Sequence, residues 1–153
     1  MSYKAILLGI LLLLAVPAVS SAGPLELFYQ ASASGTNLCG NTATKVKETL
    51  HIGFLFGDVA FQPLNVMGIK DAQDNIIASL LQQQLLYPTD NVLTTGAFMF
   101  YGDDGSGNIG AFSGTFKNDA NTGILTSFAG TLNLRFQDGC FETLTIKSGP
   151  IIQ

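Results

Sequence analysis

The chain has no tryptophan, one histidine and two cysteines among 153 residues, and only 12% of it is charged. Each shortage closes off some chemistry. Without indole, the ring most used for stacking on sugars is missing, and Tyr29, Tyr87 and Tyr101 are the only evident substitutes. With a single imidazole, His51, and two sulfurs expected to be oxidised, a tetrahedral zinc site would need carboxylates to complete it. His51 itself falls on the polar side of a strand pattern and reads as a solvated residue. No Gly-x-Ser-x-Gly elbow presents a serine nucleophile, and no Cys-x-x-Cys pair supports thiol exchange. No Asn-x-Ser or Asn-x-Thr triplet is present to accept an N-glycan.

Basic residues are scarce as well. Beyond residue 22 there are six, against eleven acids, a net charge of −5, and they form no cluster. Such a surface repels phosphate backbones and anionic lipid, so no nucleic acid partner is expected. Low charge with plentiful Gly, Thr, Ser and Asn also argues against a helical bundle, which needs Glu, Lys and Arg on its wet faces.

A long apolar run occurs once. Lys4 precedes Ala5 to Val16, Pro17 breaks the run, and Ser20, Ser21 and Ala22 follow. This order predicts a secretory signal peptide over residues 1–22, cut after Ala22 and too short for the roughly 20 apolar residues a spanning helix needs. Residues 23–153 are then one exported domain, secreted or held at the cell surface (extracellular or periplasmic), with no membrane span after processing. Export brings Cys39 and Cys140 into an oxidising compartment, where they are expected to form a disulfide. Closing about 100 residues would remove unfolded-chain entropy worth about 4 to 5 kcal/mol and set the first and last strands side by side.

Period-two alternation dominates the rest. Val46, Leu50, Ile52, Phe54 and Phe56 share one parity, with Glu48 among them near the start of the strand, where a rim position lets a carboxylate reach water. Phe98 and Phe100 alternate with Met99 and Tyr101. Phe112, Gly114 and Phe116 share a face, as do Ile124, Phe128, Gly130, Leu132, Leu134 and Phe136. Turn compositions at 102–108, 117–123 and 137–139 separate these runs, predicting four or five antiparallel strands from Ala97 to Ile146. The segments Ala111 to Phe116 and Ser127 to Leu132 repeat a small-Phe-small-Gly-Thr-apolar pattern and read as neighbouring strands whose glycines leave room for a ring. Asp71 to Tyr87 fits either a capped helix or a turn followed by a strand, and the strand is preferred because its surroundings are β.

Few residues suggest a reaction. Gly102 to Ser113 partly mimics a calcium loop, but Gly102 stands at the first ligand position and Ser113 replaces the bidentate Glu, leaving Asp103, Asp104 and Asn108 as weak metal candidates. Asp103 and Asp104 are adjacent and diverge, so they do not form a glycosidase pair. Glu48 with Glu142 is a distant combination that could.

These readings predict an all-β domain, an antiparallel β-sandwich or small β-barrel with at most one short helix, no cofactor and the Cys39–Cys140 bridge. The expected function is a non-catalytic binding or structural module engaging an extracellular protein. The alternatives are a barrel carrier of a small apolar molecule, lined by some of the eleven phenylalanines, and a barrel enzyme of unknown reaction.

Overall fold

Alternating side chains give most of the strands an apolar and a polar face, and eight strands in succession bury the apolar faces by curling into a cylinder. In the computed structural model, which describes residues 26–56, 64–86 and 94–152, the strands are β1 (Glu26–Cys39), β2 (Thr42–Phe56), β3 (Leu64–Lys70), β4 (Ile76–Leu86), β5 (Thr95–Asp103), β6 (Ile109–Asn118), β7 (Leu125–Arg135) and β8 (Phe141–Ile152). Each pairs antiparallel with the next, and β8 returns to pair with β1, closing the barrel. The leader at residues 1–22 lies outside the described residues. There is no helix among the described residues: Asp71–Asn75 is the turn and β4 the strand, while Tyr87 falls outside the description.

The turns at 40–41, 71–75, 104–108 and 136–140 share one end, called upper here. The start of β1, the end of β8 and the turn at 119–124 share the lower end. Leu38 pairs with Phe141 at the upper end of the seam, and the Cys39–Cys140 disulfide follows at once, with Cα atoms 4.4 Å apart. The bridge therefore staples the two strands that close the cylinder, within the roughly 7 Å a cystine can span.

Aromatic rings fill the interior. Phe98 is the hub, with ring centroids 4.9 Å from Phe116, 5.3 Å from Phe100, 5.6 Å from Phe112 and 5.9 Å from Phe54. Phe54 in turn meets Phe128 at 5.1 Å and Tyr29 at 5.9 Å. All seven rings are 3% exposed or less. Burying each phenylalanine contributes about 1.5–3 kcal/mol, and well-placed ring pairs add about 0.5–1.5 kcal/mol. The buried Tyr29 hydroxyl donates to the Leu125 carbonyl, so its polar end is satisfied inside the barrel, and burial pushes the phenol's pKa up.

Two glycines make this packing fit. Gly114 and Gly130 lie directly opposite each other on β6 and β7, and a Cβ on Gly130 would come within 2.7 Å of Phe112 Cζ and would also run into the Ser113 carbonyl. The repeated pattern thus places neighbouring strands with a glycine gap that receives the Phe112 ring. One parity differs from expectation. A register shift between Lys117 and Asn118, opposite Ser127 and Leu125, changes which side chains turn inward, so Leu125 rather than Ile124 enters the core at 1% exposure.

Candidate functional site

At the upper end, the inward alternation of β1, β2 and β8 carries Asn37, Glu48 and Glu142 into the mouth of the barrel. Asn37 Nδ2 donates to Glu142 Oε2 at 3.2 Å, and Glu142 is only 9% exposed. Burial, then repulsion from Glu48, pushes the Glu142 carboxyl above the usual range, with the Asn37 bond working the other way. Burial, then the charge of Asp71, does the same to the half-buried Glu48. The pair weighed from sequence is therefore brought together, and Glu48 holds the rim position expected of it. A cleft of about 570 Å3 opens at this end between Ile76–Leu80 of β4 and Gly102, Asp104, Asn108 and Arg135, and neither glutamate lines it.

The hairpin tip is self-contained. Asp104 Oδ1 accepts the Ser106 N–H at 2.9 Å and its hydroxyl at 2.7 Å, while Oδ2 accepts Asn108 Nδ2 at 2.7 Å. The Asn108 and Ser106 bonds hold the Asp104 carboxyl down to about 2. Asp103 Oδ1 accepts the Gly105 N–H, and Asn108 Oδ1 accepts the Gln137 N–H at 3.0 Å, tying this tip to the next turn. These oxygens serve the loop's own donors, and among the described residues no group of three or more His, Cys, Asp or Glu gathers as a metal site. His51 faces outward, with Nδ1 2.9 Å from Asp74 Oδ1 in the 71–75 turn.

The largest opening met among these sites is on the outer wall near the lower end. A trough of about 710 Å3 crosses β5 to β8, within the 300–1,000 Å3 typical of ligand sites. Its floor follows from strand register: Leu86 pairs with Ala97, Ala97 with Thr115, Thr115 with Ala129 and Ala129 with Lys147, one outward row across five strands. Short side chains at Ala97, Thr115 and Ala129 leave the sheet surface low, while Leu86, Lys117 and Lys147 stand around it. Phe116 and Phe128 contribute to the lining from the inner side, and Ser127 and Ser148 add hydroxyls. Among the described residues no carboxylate lines the trough and neither lysine has a carboxylate partner.

Sequence reading missed this site because its residues are individually bland. Ala, Thr and Ser at outward positions carry no motif, and only the closed register aligns positions 86, 97, 115, 129 and 147. A low-charge stretch of alternate small residues on three successive strands was the available signal.

Comparison with protein-family models, with curated proteins and with solved structures finds no match for this chain.

Proposed function

We propose that the protein is an exported, non-catalytic binding domain that takes its ligand on the outer wall of the barrel, at the β5–β8 trough. The observation that carries this reading is the filled interior: seven mutually packed rings occupy the space that a barrel carrier would leave for cargo. The carrier alternative is thereby moved from the inside of the cylinder to its surface. A disulfide is compatible with an oxidising compartment, which supports export.

The distribution of polarity also supports a protein that works in water. Phe54, Phe98, Phe100, Phe112, Phe116 and Phe128 point inward, while Ser32, Ser34, Thr36, Thr131, Thr143 and Thr145 point outward and are exposed beside scattered apolar residues such as Leu81, Met99, Tyr101 and Phe141. A barrel facing lipid has the reverse arrangement, an apolar band outside and a polar lumen. The glutamate pair gives an enzyme reading less support, because the adjacent cleft is lined by other residues and Glu142 is enclosed with Asn37.

A fragment screen read by amide and side-chain NMR tests the proposal. The expected result is saturable shifts confined to Ala97, Thr115, Ala129 and their neighbours, with the Phe54 and Phe98 ring signals unmoved. Saturable perturbation of the ring cluster by apolar fragments, with the trough silent, would restore the internal carrier and sink this reading.

A further inference from the structure

We infer that the trough takes a small amphipathic anion, an apolar chain ending in a single negatively charged head such as a carboxylate. This deepens the binding-domain reading and rests on it. The inference stands on the combination of an apolar floor with positive charge that meets no carboxylate among the described residues, in a protein that is otherwise acidic.

Seven basic residues serve the whole chain against eleven acidic ones, yet two of the seven border this one trough and, among the described residues, no acid does. Strand register fixes where they stand. Lys147 ends the row that runs through Ala97, Thr115 and Ala129, whereas Lys117 sits two positions along β6 from Thr115 and opposite Ser127. The two ammonium-bearing side chains therefore approach the floor from different sides, separated by two strand spacings, about 10 Å, plus one two-residue step. Neither is consumed by an ion pair among the described residues, so an entering anion need not displace a carboxylate.

The floor suits a chain in place of a second charge. Ala97, Ala129 and the half-exposed Leu86 present carbon, and Phe116 and Phe128 lie behind the same surface. Hydroxyls at Thr115 and Ser127 supply donors beside the lysines. Ser148 Oγ accepts the Phe128 N–H at 2.8 Å, which leaves its own hydroxyl proton to be donated. An apolar tail gains by covering carbon, and a charged head gains by pairing with an exposed ammonium group.

Calorimetric titration of the purified, oxidised protein with dodecanoate and with dodecan-1-ol, both below micelle formation, tests this. Dodecanoate is expected to bind one to one, about tenfold more tightly than the alcohol, with the preference fading as salt is raised. Exchanging both Lys117→Gln and Lys147→Gln should remove that preference, and Ala129→Phe, at an exposed position, should block both ligands with unchanged melting temperature. Equal binding of acid and alcohol, insensitive to the lysine exchanges but lost in Ala129→Phe, overturns the anion and leaves the trough as a binding site. Saturable binding that survives Ala129→Phe and Thr115→Phe places the ligand elsewhere and overturns the site. Absence of saturable dodecanoate binding overturns the ligand class, while the fragment screen still decides the outer-wall reading by itself.

Discussion

Phe98→Ala is the sharpest test of the filled barrel. The Phe98 ring touches those of Phe54, Phe100, Phe112 and Phe116 and is 1% exposed, so its removal strips contacts from four neighbours on two other strands and its own. Losing the transfer free energy of one buried phenylalanine, plus the cavity left where a closed cylinder cannot collapse, costs about 3–5 kcal/mol. For a domain of this size, that is a fall in melting temperature of about 10–20 °C. The new space is apolar, and apolar cavities stay dry and admit benzene or xenon. Thermal unfolding with and without benzene therefore gives a paired expectation: benzene stabilises Phe98→Ala and leaves the parent protein unchanged. A loss below about 1 kcal/mol, or equal stabilisation of the parent by benzene, would refute the argument that the rings fill the interior.

Three further outcomes follow from the same structure. Reducing the Cys39–Cys140 bond, or replacing both residues with alanine, should cost about 2–5 kcal/mol by chemical unfolding, because the bridge closes a loop of sequence separation 101; a change under about 0.5 kcal/mol would remove the staple from the account. Glu142 and Glu48 have raised pKa values in the fold, so they favour the folded state while protonated, and that contribution is lost as pH rises through their folded values above 4.5. Glu142→Gln, which keeps an acceptor for Asn37, should leave stability flatter across that range and no lower at neutral pH, as measured by unfolding curves at a series of pH values. Gly130→Ala should destabilise by about 1–3 kcal/mol or more, since its methyl group meets Phe112 and the facing strand, and a neutral result would contradict the close approach of β6 and β7.

The architecture was legible where large residues alternate. Phe98, Phe100, Phe112, Phe116, Phe128, Leu132 and Leu134 all announce their faces at period two, and all are buried. Strand β1 was not legible for the same reason in reverse: its inward residues include Ala31 and Ala33, too small to mark a face, although both are 1% exposed. Both belong to the buried cluster, where the volume left for an inward residue is set by side chains from other strands, a constraint invisible in a strand read by itself. The inward turn of Leu125 was hidden by the β7 register shift, which a strict two-residue period cannot express.

The candidate site divides along the same physical line. Glu48 could be placed at a rim because a carboxylate on an apolar face demands an exit to water, and its pairing with Glu142 followed once the cystine fixed β1 against β8. A trough demands nothing comparable of any one residue. Ala97, Thr115 and Ala129 are unremarkable on three separate strands, and they become a floor only because an eight-stranded cylinder brings them into one row. Lys117 and Lys147 acquire their meaning in the same way, thirty positions apart in sequence and on either side of β7 in the sheet. Closure of the barrel, with the ring cluster inside and the cystine at the seam, is therefore what gathers scattered small and basic residues into one trough, the surface on which the proposed binding rests.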